Sequence, residues 1–79
     1  MPHVPNSFNS MNEKLKLLRL IKGYSQRGIA HKLHITQQAY SKIENCKIRL
    51  NNQLLNKILI AMNCTMKDIQ EIESLYFHK

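Results

Sequence analysis

A chain of 79 residues forms one domain at most, and its core is too small to enclose a deep catalytic cavity. Twelve lysines and arginines against five acidic residues give a net charge of +7, which favours a polyanionic partner. Most of this charge lies between Lys14 and Lys57, where ten basic residues stand against a single acid, Glu44, a balance of +9.

The two cysteines, Cys46 and Cys64, are far apart in the chain and form no CxxC pair. Cys64 falls in an apolar pattern and Cys46 in a polar one, which argues against a disulfide between them. The chain shows no signal peptide and no apolar run of about 18 residues, the length that would span a bilayer. These features predict a cytoplasmic protein with reduced thiols that does not associate with a membrane.

The chain opens with residues 1–9, which we expect to be a flexible arm. Pro2 and Pro5 stand among Asn and Ser residues without any apolar periodicity. The folded domain is then predicted to comprise residues 10–79.

The first two helices carry clear start and stop signals. Ser10 and Glu13 have the spacing of a capping box, and Gly23 is placed to end the first helix in the left-handed conformation. Ser25 can cap a second helix. Gly28 lies inside this second helix, where it costs about 1 kcal/mol relative to alanine for no reason visible in the sequence.

The stretch from Gln26 to Asn45 contains two short helical patterns separated by a turn. Ile29, Ala30 and Leu33 recur at helical spacing, and Tyr40 and Ile43 resume it after Thr36, which can cap the second helix. This pattern predicts a helix-turn-helix. Opposite Tyr40 and Ile43 the second helix has a polar face, which consists of Gln37, Gln38, Ser41 and Lys42. Such a face suits base edges in a major groove.

Three runs in this region, GYSQ, IAHKL and ITQQAYSKIEN, resemble the Cro and phage-repressor family of helix-turn-helix proteins, the XRE-type regulators. The resemblance extends without a gap from about Met11 to Ile69. It implies an all-α fold, a compact five-helix lambda-repressor-like DNA-binding domain whose third helix enters the major groove. Two residues depart from the family, since His34 and Cys46 stand where it usually has glycine. A non-glycine residue with positive φ costs roughly 1 kcal/mol.

The resemblance also implies roles for individual side chains. Gln37 and Gln38 would read bases, and Ser41 and Lys42 on the same face can join them. Gln26, Asn45 and Lys47 match positions that hold backbone phosphates, and Arg27 and Arg49 are close enough to add charge there. Arg19 and Glu44 would form an ion pair between the first helix and the recognition helix; the alternative is that each is a solvated surface residue.

Two further interpretations concern the arm and the histidines. Residues 1–9 are either an arm that enters a minor groove or a plain leader, and the absence of Lys and Arg favours the leader. His31 and His34 lie three residues apart, but no neighbouring Cys, Asp or Glu completes a ligand set. We therefore predict no metal and no cofactor. No nucleophile stands with a base and its orienting partner, so that we expect no catalysis.

The last part of the chain is not basic, in contrast to the region from Lys14 to Lys57. Asn51 or Asn52 caps a fourth helix, Asn63 ends it, and the segment from Met66 to Lys79 has a balance of −1. Its apolar residues exceed what docking on a core requires. Small repressors of the family often pair through this region, and a homodimer interface is predicted at Ile69, Ile72, Leu75, Tyr76 and Phe77. A longer core helix is the alternative.

The sequence thus predicts a sequence-specific transcriptional regulator of double-stranded DNA, a repressor that binds an inverted repeat as a homodimer. The competing hypothesis is a protein-interaction module, such as the antitoxin of a toxin–antitoxin pair, that also binds its own promoter. Its partner would be a toxin or another regulator. The apolar residues available for such a partner are Leu17, Leu20, Ile21 and Phe77.

Overall fold

The computed structural model of the protein describes residues 10–77, and within this range there are five α-helices and no strand. The helices are α1 (Met11–Lys22), α2 (Gln26–Leu33), α3 (Gln37–Glu44), α4 (Asn52–Ala61) and α5 (Met66–Ile72). A π-helical turn, Glu73–Phe77, continues α5. The predicted all-α, five-helix fold is confirmed. The predicted arm of residues 1–9 lies outside the described residues.

Each helix begins at a side chain that accepts a hydrogen bond from one of the free backbone amides. The capping residues are Ser10, Ser25, Thr36, Asn51 and Thr65. The Leu54 amide donates to Asn51 Oδ1 at 2.7 Å, which decides between the two asparagines proposed for α4. At α5 the Asp68 carboxylate also accepts from the Thr65 amide at 2.8 Å, and this completes a capping box. Local sequence signals therefore determine where the helices start.

The connections between helices use residues in the left-handed region. Gly23 has φ +83°, and three residues other than glycine also have positive φ: His34 at +61°, Cys46 at +63° and Asn63 at +55°. His34 and Cys46 are the two residues that stand where the resemblance implies glycine. The fold thus keeps the backbone conformation at these turns although the side chains make it less favourable.

Replacing His34 by glycine is expected to raise the free energy of unfolding by up to about 1 kcal/mol, because glycine reaches this φ without a clash at Cβ. Urea denaturation of the variant and the wild type measures the difference. His34→Asn serves as the matched control. Its free energy of unfolding should lie between those of the wild type and His34→Gly, since asparagine tolerates the left-handed region better than most residues. A His34→Gly variant less stable than the wild type would contradict this explanation of the turn.

The core lies where the five helices meet. Its buried apolar side chains are Leu15, Leu18, Ile29, Ala30, Tyr40, Ile43, Ile58, Leu59, Ala61, Met62, Cys64, Ile69 and Ile72. Every helix contributes at least two of them, so that detaching any one helix from the core would expose apolar surface to water. Both thiols are free, Cys46 at the surface and Cys64 in the core.

The C-terminal helix docks on this core through Ile69 and Ile72, whose side chains are 0% and 4% exposed. This corrects their predicted place in a dimer interface, because a side chain enclosed within its own chain has no surface for a second copy. Leu75 and Tyr76 in the π-helical turn are exposed. The side chain of Phe77 lies outside what the structure describes.

Two ion pairs hold the same helix against α1. Lys14 Nζ lies 2.7 Å from Glu73 Oε2, and Lys22 Nζ lies 3.7 Å from Asp68 Oδ1. The order of these contacts along the two helices makes α1 and α5 antiparallel neighbours. Ion pairs of this partly exposed kind contribute about 1 kcal/mol or less each, so that the buried isoleucines dominate the docking.

Candidate nucleic-acid interface

Helix α3 has two distinct faces. Tyr40, Ile43 and Glu44 are buried, whereas Gln37, Gln38 and Lys42 are exposed. Ser41 is half-buried, and its Oγ lies 3.3 Å from Asn45 Nδ2. A short helix that is fixed along one side therefore presents polar side chains along the other.

Helices α2 and α3 pack together as the two arms of a helix-turn-helix. Ala30 lies buried where they meet, and its carbonyl accepts from the Ile35 amide at 3.1 Å as the chain turns. The His34 amide donates to the carbonyl of His31, also at 3.1 Å. These bonds and the left-handed His34 set the angle between the helices, which is the geometry predicted for the stretch from Gln26 to Asn45.

A buried ion pair fixes the far end of α3. Arg19 Nε donates to Glu44 Oε2 at 2.6 Å and Arg19 Nη2 to Glu44 Oε1 at 3.2 Å, with both residues buried. Arg19 Nη1 also donates to the Tyr24 carbonyl at 2.8 Å. The pair predicted between α1 and the recognition helix is therefore present. Because the contact is bidentate, it orients α3 as well as holding it.

The Glu44 carboxylate has a third donor that sequence reasoning missed. Gln26 Nε2 donates to Glu44 Oε1 at 3.0 Å, which joins α2 to the same cluster. Burial alone would raise the pKa of Glu44, but the hydrogen bonds from Arg19 and Gln26 outweigh it and leave this pKa below its ordinary value. The carboxylate is thus charged at neutral pH, as the ion pair requires.

Tyr40 packs beside this cluster at the centre of the core. Burial, together with the neighbouring Glu44 carboxylate, raises the pKa of the Tyr40 phenol far above its usual value. The Tyr40 hydroxyl lies next to the Glu44 carboxylate in this buried cluster. The ring of Tyr40 is fully buried and fills the core under α3.

Gln26 also contacts α3. Gln37 Nε2 lies 3.4 Å from Gln26 Oε1, so that a chain of amides leads from Glu44 through Gln26 to Gln37. This contact leaves Gln37 Oε1 and its second N–H hydrogen free. An acceptor and a donor on one amide are what a bidentate contact to adenine uses.

The loop after α3 provides exposed cations. Lys47 and Arg49 are both exposed, and the Lys47 amide donates to the Lys42 carbonyl at 2.8 Å, which fixes the start of the loop on α3. Asn12 Nδ2 donates to the Ile43 carbonyl at 2.7 Å and ties the same end of α3 to α1. No sequence pattern points to Asn12, since its partner is a backbone atom 31 residues away.

The remaining phosphate candidates also lie at the surface. Arg27 and Asn45 are exposed, and Gln26 is half-buried with one Nε2 hydrogen committed to Glu44. All five predicted phosphate residues therefore come from two places, the start of α2 and the segment that begins at the end of α3. Both places adjoin the polar face of α3.

Among residues 10–77 no three His, Cys, Asp or Glu side chains lie close enough together to hold a metal ion. None of the described helices is long and apolar enough to cross a membrane.

A family model described as helix-turn-helix matches residues 15–69, which is well over half of the chain. The protein belongs to this family, the Cro and phage-repressor (XRE) type of DNA-binding transcriptional regulators. Neither the comparison with curated proteins nor that with solved structures found a match. The family assignment thus rests on a match that runs from Leu15 in α1 to Ile69 in α5 and includes the whole helix-turn-helix.

Proposed function

We propose that this protein is a sequence-specific repressor that binds an inverted repeat in double-stranded DNA as a homodimer. The observation that carries the proposal is the exposed row of Gln37, Gln38 and Lys42 on a helix whose opposite face is fixed by the buried Arg19 and Glu44. A reading helix must keep its side chains in register with the base edges, and the ion pair and the core residues provide that rigidity.

Phosphate contacts on both sides of α3 would fix its depth in the groove. Arg27 and Gln26 at the start of α2 hold one stretch of backbone, and Asn45, Lys47 and Arg49 hold another. Ser41 is half-buried and hydrogen-bonded to Asn45, which makes it a weaker candidate for base contact than Gln37 or Gln38. The binding free energy would therefore have a sequence-independent part from the phosphate contacts and a sequence-specific part from the side-chain amides of Gln37 and Gln38.

The homodimer would form through the end of the chain. Leu75 and Tyr76 are 70% and 57% exposed, although α5 itself is anchored by Ile69 and Ile72. The segment from Met66 to Lys79 has a balance of −1, so that two copies meet there without the repulsion of the basic body. Such a dimer, bound across a promoter in the cytoplasm, would block transcription by occupying the DNA.

The alternative, an antitoxin-type module with a protein partner, is supported by a different surface. Leu20 and Ile21 are about half exposed at the end of α1, whereas Leu17 packs against the core. A partner such as a toxin or another regulator could cover the two exposed residues. Tight, salt-dependent DNA binding by the isolated chain favours the repressor over this alternative.

The DNA-binding part of the proposal predicts a specific effect of Lys47→Ala. Each charged phosphate contact adds about 0.9 to the slope of log K against log salt, and this variant should flatten the slope by about that amount on every duplex. Titration of a labelled duplex over a salt series measures it. Lys67→Ala, an exposed lysine on α5, is the matched control and should keep the wild-type slope. An unchanged slope for Lys47→Ala would remove this residue from the interface.

A further inference from the structure

An open depression lies between the start of α2 and the start of α3, and Gly28 is one of the residues that line it. The depression measures about 540 Å³, and Arg27, His31 and Gln37 stand around it. A Cβ on Gly28 would meet Ser25 Oγ at 3.1 Å, the oxygen that accepts the Gly28 amide in the helix cap. Glycine thus leaves the helix cap without a tight contact, at a position where it costs about 1 kcal/mol relative to alanine.

The walls of the depression are basic or neutral. Arg27 and His31 are four residues apart on α2, hence neighbours on one helix face, and both are exposed. Gln37, across the depression, belongs to the first turn of α3. No acidic side chain lines this surface within residues 10–77.

The other charged groups around α2 do not line the depression. Lys32 on α2 donates to the Ala61 carbonyl at 3.0 Å, with its Nζ 5.1 Å from the centre of the Tyr24 ring. From α3 the titratable and charged groups are Lys42, Tyr40 and the Glu44 carboxylate, which already accepts from Arg19 and Gln26. From α4 the charged group is Lys57, which lines a separate groove together with His34. His31 therefore has no carboxylate facing it on the depression.

We infer that the depression receives a DNA phosphate and that His31, when protonated, contacts it, so that DNA binding strengthens as the pH falls. The inference rests on the proposed DNA-binding function. The depression adjoins the start of α3, and in the proposed complex one DNA strand passes there, so that Arg27 and His31 together offer two cations to its backbone. Imidazole is the side chain whose charge changes between about pH 5 and pH 8. A phosphate favours its charged form, so that binding takes up a proton.

The test uses the full chain and a mixed-sequence duplex of about 20 base pairs, because phosphate contacts do not depend on sequence. Wild type, His31→Gln and His31→Lys are titrated over a salt series at about pH 5.5 and about pH 8. The wild-type slope of log K against log salt should be steeper by about 0.9 at the lower pH. His31→Gln should show the shallow slope at both pH values and His31→Lys the steep slope at both.

His34→Asn is the matched control, since it removes the other described histidine of this region from a position away from the depression. It should keep the wild-type pH dependence. A wild-type slope that is equal at both pH values, or a pH difference that persists in His31→Gln, overturns the inference. If binding persists and Lys47→Ala still flattens the slope, only the inference fails; if the wild type binds no duplex at either pH, the proposed function fails with it.

Discussion

Arg19→Ala is expected to lower the free energy of unfolding by about 3–5 kcal/mol, because it leaves the buried Glu44 carboxylate without its bidentate partner. The Tyr24 carbonyl loses a donor in the same variant. Urea denaturation with a two-state fit measures the loss. Lys22→Ala on the same helix is the matched control. It breaks a pair in which Lys22 is 43% exposed, and should change stability by about 1 kcal/mol or less.

A double-mutant cycle distinguishes the ion pair from a general effect of removing a long side chain. Arg19→Ala combined with Glu44→Ala should be less destabilised than Arg19→Ala alone, since no unpaired charge then remains in the interior. Two single effects that simply add up would contradict the view that Arg19 and Glu44 act together to hold α1 against α3.

Gln37→Ala and Gln38→Ala are each expected to cost about 1–3 kcal/mol of binding free energy on the preferred DNA site, while non-specific binding stays nearly intact. Both residues are exposed in the first turn of α3, and each offers a donor and an acceptor to one base. Titrations on the preferred duplex and on a mixed-sequence duplex measure the sequence-specific and the non-specific binding free energies separately.

The control for the two glutamines is Gln70→Ala, an exposed glutamine on α5 that should leave both affinities unchanged. Loss of affinity that is equal on all duplexes would assign Gln37 and Gln38 to the DNA backbone. A loss for Gln38→Ala alone would show that the contact between Gln37 and Gln26 is structural in the complex as well as in the free protein.

Much of the fold could be predicted because its signals are local. Ser25 and Thr36 stand directly before the helices that they cap, and Gly23 directly follows the helix that it ends. The positive φ values at His34 and Cys46 could also be predicted, because the turn requires a left-handed residue at these positions even where glycine is replaced. The pair of Arg19 and Glu44 followed from the family pattern.

What the sequence could not show depends on three-dimensional neighbours. The hydrogen bond from Gln26 to Glu44 joins residues on two helices, and the sequence pattern assigns each of them a different partner. The apolar residues of α5 share one helical spacing, which does not tell how much of that surface its own chain covers; Ile69 and Ile72 are covered and Leu75 is not. The role of Gly28 depends on the position of the Ser25 hydroxyl, whose oxygen would lie only 3.1 Å from a Cβ on this residue.

Selection of bound duplexes from a random pool tests the central claim, a dimer that reads an inverted repeat through α3, most directly. The enriched sequences should contain one half-site twice in inverted orientation, with half-site centres about 10 base pairs apart, because two symmetric copies of α3 lie about one turn of DNA, ~34 Å, from each other. Enrichment of a single unrepeated half-site would contradict the dimer and the role of Leu75 and Tyr76. A pool that shows no enrichment at all would contradict sequence-specific reading by this helix.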